Sequence, residues 1–211
     1  MSVRAAYTDW AVTYDSDRNL TRDLDGVVTR RMLADQPGGA ILELGCGTGK
    51  NTLFLAQIGE RVCALDFTEG MIARARTKLA ENQVRNVDFA IADLTQPLPC
   101  VDGRFDLVVC NLVLEHIADL APVFAEAYRV LSDGGRFVVS ELHPFKQYLG
   151  GKANFQRGDQ QVEIVAFVHH VSAFLDAAAS AGFALKRLNE WWHDDDPPDG
   201  TPRLVSFLFQ K

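Results

Sequence analysis

Ile41-Leu42-Glu43-Leu44-Gly45-Cys46-Gly47-Thr48-Gly49-Lys50 joins an apolar run to a glycine-rich turn and then to helix-forming residues. A short apolar run bounded by glycine reads as a strand buried on both faces. Gly45, Gly47 and Gly49 permit positive φ angles and leave no Cβ between the backbone and a ligand. The pattern is GxGxG. A dinucleotide turn of the GxGxxG type would carry its third glycine where Lys50 stands, and no GxxxxGK[ST] phosphate loop can be read here.

Outward from this turn, helical and strand patterns alternate from residue 40 to residue 139, as βαβ units in a parallel sheet do. Strands are expected at 40–44, 61–65, 87–91, 105–110, 135–141, 184–190 and 203–209. Helices are expected at 20–34, 51–58, 68–82, 120–131 and 171–181, with Thr68 capping its helix ahead of Met71, Ile72, Ala75 and Leu79. Leu131-Ser132-Asp133-Gly134-Gly135 reads as a helix stop and a turn. The fold class is α/β, a Rossmann-like, seven-stranded, doubly wound sheet with a C-terminal antiparallel hairpin. At 211 residues, one domain over 1–211 is expected.

Two acids stand at strand ends, in Leu65-Asp66-Phe67 and Ala92-Asp93-Leu94. A further apolar run leaves its strand on an amide, Phe105-Asp106-Leu107-Val108-Val109-Cys110-Asn111. Asp66 lies about 20 residues past Gly45, the interval at which a carboxylate meets a nucleoside ribose. These segments together resemble the class I S-adenosylmethionine-dependent methyltransferases of the small-molecule, methyltransferase-11-like type. The likeness covers roughly residues 40 to 139.

The resemblance implies S-adenosyl-L-methionine as cofactor and S-adenosyl-L-homocysteine as product. It places Glu43, Gly45, Cys46, Gly47 and Gly49 beneath the nucleoside, with Asp66 on the ribose. Phe67 and Met71 would flank the adenine, and Asp93 and Leu94 would meet its edge. Asn111 and Leu112 would lie beside the methionine half, with Glu115 and His116 shaping the pocket. The N-terminal helical arm, 1–35, would fold over the cofactor and bring Tyr14 and Arg18. Arg18 either meets the methionine carboxylate or makes a surface ion pair with Asp15 or Asp17. Replacing Asp66 with Ala is expected to weaken cofactor binding while the fold survives.

Methyl transfer from a sulfonium needs alignment and dryness, and needs a base only if the acceptor must lose a proton. His143, after the fifth strand, and His116 are the candidate bases. His169 and His170 read as structural. The insertion at 143–170, with Gly150-Gly151, Arg157-Gly158-Asp159 and an extended 162–168, is expected to contribute to the acceptor pocket. Trp191 and Trp192 either line that pocket or pack the final hairpin. Asp194-Asp195-Asp196-Pro197-Pro198-Asp199-Gly200 reads as a solvated turn.

A net charge of -7 without a basic stripe argues against nucleic acid and for a small-molecule or carrier-bound acceptor. No apolar run is long enough to span a bilayer and no secretion signal is legible, so a cytoplasmic protein without membrane association is expected. Cys46, Cys63, Cys100 and Cys110 lack metal-ligand spacing, so no metal is expected. The oligomeric state is not encoded in these features. Two rival readings stay open: a non-catalytic cofactor-binding subunit of a partner enzyme, and a nicotinamide-dependent oxidoreductase.

Overall fold

The computed structural model describes residues 2–211 apart from 12, 36–37, 152–153, 158–159 and 198. The chain begins with α1 (Val3–Trp10) and α2 (Leu20–Leu33). Alternation follows through β1 (Ala40–Leu44), α3 (Lys50–Ile58), β2 (Arg61–Asp66), α4 (Glu69–Glu81), β3 (Val87–Ile91) and β4 (Phe105–Asn111). Then come a 3-10 turn (Leu114–His116), α5 (Ala121–Val130), β5 (Leu131–Leu142) and α6 (Pro144–Tyr148). The hairpin β6 (Asn154–Arg157) and β7 (Gln160–Glu163) precedes α7 (Val171–Ala181), β8 (Ala184–Trp191) and β9 (Leu204–Gln210).

Among the described residues, seven strands share one sheet in the order β3-β2-β1-β4-β5-β9-β8. Pairing is parallel from β3 to β5 and antiparallel at β5–β9 and β9–β8. Alternate side chains along the central strands enter two apolar clusters. Leu42, Leu44, Val108, Phe137 and Phe209 pack with Phe124 of α5 and Phe174 of α7. Ile41, Val62, Leu107, Val109 and Val138 pack with Val28 and Met32 of α2 and Leu55 of α3. This two-sided burial explains why these strands are apolar at nearly every position.

The structure departs from the sequence expectations in several places. Residues 131–135 are not a turn outside the sheet. Leu131 already pairs with Phe105, and a register shift absorbs the glycines before Arg136 pairs with Leu107. Thr68 occupies the N-cap position of α4, but its hydroxyl has no partner. The carboxylate of Asp66 instead accepts the Thr68 N–H at 2.8 Å. The extended run at 162–168 is strand only through Glu163. Gly158 and Asp159 of the expected insertion and Pro198 of the expected acidic turn lie outside the described residues.

Helices α1 and α6 are short, at eight and five residues, and are fixed by their caps and neighbours. Ser2 caps α1 by accepting the Ala5 N–H, and Trp10 and Ala6 pack against Ile164 in a third, small apolar cluster. His143 caps α6, its Nδ1 accepting the Phe145 N–H at 3.1 Å, with Pro144 at the first helical position.

Candidate cofactor and acceptor site

Strand order reverses between β1 and β4, the place where open α/β sheets bind ligands at their C-terminal edge. Leu44 pairs with Cys110 there, so the glycine turn and Asn111 leave the sheet side by side. A cleft opens at this point, with about 910 Å³ of empty volume including its mouth.

The glycines in its floor have different reasons. Gly45 has φ +73°, and a Cβ on it would meet Val113 Cγ2 at 2.2 Å. Gly47 has φ +52° and nothing within 4 Å of a built Cβ, which would project into open space. Gly49 abuts Ala75 and Leu79 of α4 and does not line the cleft. Gly47 is thus the position that leaves room for a ligand, while Gly45 and Gly49 serve chain packing.

Asp66 is buried beside this turn. One carboxylate oxygen accepts the Gly47 N–H at 2.9 Å and the other accepts the Thr68 N–H. Burial raises its pKa, and the Thr68 and Gly47 amides oppose that rise. Phe67, Met71, Leu94 and Asp93 continue the same wall. Asp93 Oδ1 accepts both the Thr95 N–H and its hydroxyl, and the Thr95 hydroxyl and amide lower the Asp93 pKa.

Asn111 donates through Nδ2 to Asp25 Oδ1 and to Thr29 Oγ1, both at 2.7 Å. Its carbonyl oxygen Oδ1 is buried in the cleft wall without a partner. Asp25 also accepts from Asn51 at 2.8 Å, which ties α2, α3 and β4 together. Below this network lies a smaller recess lined by Glu43, Cys46, Arg22, Asp25 and Asn51 among others. Glu43 faces Thr52, whose hydroxyl donates to it at 2.5 Å, and burial pushes its pKa up to about 8. Burial likewise raises the Cys46 thiol well above its ordinary range, so it is not a thiolate nucleophile.

Tyr14 and Leu112 line both of these spaces and a third, outer cavity. Leu112 has φ +55°, a left-handed conformation that is strained for leucine. Tyr7 walls both the cleft and the outer cavity and donates or accepts at His116 Nε2 over 2.8 Å. His116 Nδ1 lies 2.8 Å from the Val165 carbonyl, which can only accept, so Nδ1 carries the proton and Nε2 accepts from Tyr7. Burial lowers the His116 pKa, leaving the ring neutral near pH 7.

Other expected residues lie elsewhere. Arg18 is exposed and pairs with Asp195 at 2.7 Å; it borders the outer cavity only. Arg22, one turn along α2, takes the inner place, stacked 4.1 Å over the Tyr14 ring with its Nε buried and unpartnered. His143 lines neither the cleft nor the outer cavity. Its Nε2 meets Glu190 at 2.9 Å while Nδ1 caps α6, so neither nitrogen is free to take a proton. His169 donates to the Ile117 carbonyl. Trp191 donates to Ser206 and packs the hairpin, and Trp192 donates to the Gly200 carbonyl. The acidic run is not simply solvated: Asp196 is buried and pairs with Arg203 through both oxygens.

Sequence reasoning missed Arg22, Asp25, Tyr7 and Glu141. Arg22, Asp25 and Thr29 repeat at intervals of three and four along α2, a polar stripe inside a helix that also carries buried Leu24, Val28 and Met32. Glu141 accepts the Val113 and Leu114 N–H groups at 2.9 Å and shapes the segment after β4. Among the described residues, no group of three or more His, Cys, Asp or Glu side chains is placed to hold a metal.

Residues 42–139 match the model of the family described as "Methyltransferase domain". A demethylmenaquinone methyltransferase from Clavibacter sepedonicus is 36% identical over 144 residues, covering 66% of this chain and 58% of that protein. A malonyl-[acyl-carrier protein] O-methyltransferase from Serratia marcescens is 34% identical over 142 residues, covering 67% of this chain and 52% of that protein. The chain therefore spans between half and three fifths of the length of these curated relatives. An S-adenosylmethionine-dependent methyltransferase from Mesorhizobium loti superposes with a TM-score of 0.71 at 25% identity, over 88% of this chain and 96% of that one. With the glycine turn, Asp66 and Asn111 gathered at the point where the strand order reverses, residues 42–139 form a methyltransferase domain, and the fold is that of the class I S-adenosylmethionine-dependent methyltransferases.

Proposed function

We propose that this chain transfers the methyl group of S-adenosylmethionine to a small-molecule or carrier-bound acceptor. The observation that carries the reading is the meeting of cleft, recess and outer cavity at Tyr14 and Leu112. The first two suit the two halves of the cofactor, and the third adjoins the point between them. Asp66 would accept the ribose hydroxyl hydrogens. Asn111 Oδ1, buried and unpartnered, would accept from the methionine ammonium, and Arg22 would face its carboxylate. Phe67, Met71, Asp93 and Leu94 would enclose the adenine.

When bound, the cofactor supplies an electrophilic methyl on a good leaving group. The protein's part is alignment and exclusion of water. Tyr7, between cleft and outer cavity and bonded to neutral His116, is placed to pass an acceptor proton to Nε2. His143 has no part in this scheme. The helical arm acts as a lid because Tyr7 and Tyr14 wall the cleft, and residues 143–170 contribute Lys146 and Gly151 to the acceptor side. The relatives named above are a demethylmenaquinone methyltransferase and a malonyl-[acyl-carrier protein] O-methyltransferase, which is in keeping with a small-molecule or carrier-bound acceptor. No helix among the described residues is long and apolar enough to cross a membrane. Four free cysteines suit a reducing compartment, so the reading places the reaction in the cytoplasm.

Calorimetric titration with S-adenosylmethionine, S-adenosylhomocysteine, NADH and NADPH tests this. Binding of the first pair with dissociation constants of order micromolar, about -8 kcal/mol, is expected. Binding of a nicotinamide cofactor without either of the first pair would overturn the proposal.

A further inference from the structure

The outer cavity carries a charge pattern unlike the rest of the molecule. The chain has a net charge of -7. Yet among the described residues lining this cavity are four cationic side chains, Arg18, Arg22, Lys146 and Arg203, against one carboxylate, Glu115. Arg18 is neutralised by Asp195 at the rim. Arg203 holds Asp196 with its guanidinium fork. Lys146 Nζ stands 3.8 Å from the same Asp196, beyond hydrogen-bond reach. Two cations thus share one buried carboxylate, and the Lys146 ammonium keeps donors to spend. Glu115 does not balance them. Its carboxylate lies toward His116 and Gln147, and burial pushes its pKa up to about 7, so it is partly uncharged near neutrality.

Beside these charged groups the lining is mixed: Asn19 and Thr21 are polar, while Tyr7, Trp10, Tyr14, Leu20, Leu112 and Leu142 offer an apolar and aromatic wall. A lysine ammonium with donors to spare makes its strongest hydrogen bonds to an oxyanion. An acceptor that brings an anion on an apolar body supplies that partner. A cationic acceptor would have to enter against Lys146 and Arg203 and rely on Glu115 alone.

We propose that the acceptor is an oxyanion-bearing small molecule, a carboxylate or phosphate on an apolar body. Its anion is held by Lys146 with Arg203, and the atom to be methylated faces Tyr7 and Leu112. This rests on the methyltransferase reading above. Lys146 and Arg203 are then specificity-determining residues contributed by α6 and by the residue just before β9, outside the glycine-turn half of the fold.

The test uses the full chain and four matched probes: benzoate, phenyl phosphate, benzyl alcohol and benzylamine. Binding is followed by ligand-observed NMR with and without saturating S-adenosylhomocysteine. The expected result is that benzoate or phenyl phosphate binds about fivefold or more tighter than benzyl alcohol, roughly 1 kcal/mol. Whichever anion binds better identifies carboxylate or phosphate as the group recognised. Lys146→Gln should erase the preference and Lys146→Arg should keep it. Affinity for S-adenosylhomocysteine and the melting temperature of both variants should stay near the parent values. The proposal is overturned if benzylamine or benzyl alcohol binds as well as the anions, if neither anion binds, or if the preference survives in Lys146→Gln. Loss of S-adenosylhomocysteine binding by the parent chain, with the anion preference intact, would refute the cofactor reading instead.

Discussion

Asp66 does two jobs with one carboxylate. It joins the Gly47 and Thr68 amides, and so fixes the glycine turn against the start of α4. Under the proposed function it also accepts from the ribose. A charged acceptor contributes about 1.5–3 kcal/mol per hydrogen bond, so Asp66→Ala is expected to weaken S-adenosylhomocysteine binding by about tenfold to a hundredfold. The same change frees two backbone N–H groups beside the cleft, so the melting temperature should fall too. Calorimetry and a thermal melt on one preparation separate these effects. Asp66 was legible because its position after a strand and its interval from Gly45 follow from the backbone. Arg22 was not, because a cation in the first turn of an amphipathic helix looks solvated until the fold brings Tyr14 beneath it. His143 looked like a base from its place at the sheet edge. Only the path of the chain after β5 shows its ring spent on a helix cap and on Glu190.

At the scale of elements, the central strands were legible because both faces are buried and almost every side chain is apolar. The first helix was not. Its apolar residues find partners that are distant in sequence, Ile164 from the 143–170 insertion and Phe67 after β2. This small cluster stands apart from the two that flank the sheet. Elements with few buried contacts open at the low end of the stability range. Backbone amides of α1 are therefore expected to exchange with deuterium faster than those of β1 and β4. Saturation with S-adenosylhomocysteine should slow exchange in α1 while leaving β9 unchanged. Equal protection of α1 and β4 without ligand would contradict the lid role.

Across the whole molecule, several acids are buried with raised pKa values. Burial pushes Glu43 and Glu141 to about 8, against the opposing Thr52 hydroxyl in one case and two backbone amides in the other. An unfolded glutamate titrates near about 4.3. Between these values the folded protein binds protons that the unfolded chain has lost, so stability declines as pH rises from about 4.3 to about 8 and levels off above that. Acids with lowered values, such as Asp15 and Glu126, lose their contribution only at acid pH and do not act in this window. The melting temperature is expected to fall between about pH 6 and about pH 8, and Glu43→Gln should flatten that fall. A flat profile in the parent chain would contradict the burial argument.

The arm formed by α1 and the following residues walls the cleft through Tyr7 and Tyr14 and walls the outer cavity with the same two rings. The two spaces share a door. An acceptor seated against those rings holds the arm down over the cofactor. Under the proposed function, cofactor and acceptor would then not exchange with solvent independently, and an ordered cycle is expected: nucleoside in first, methylated product out before the spent nucleoside.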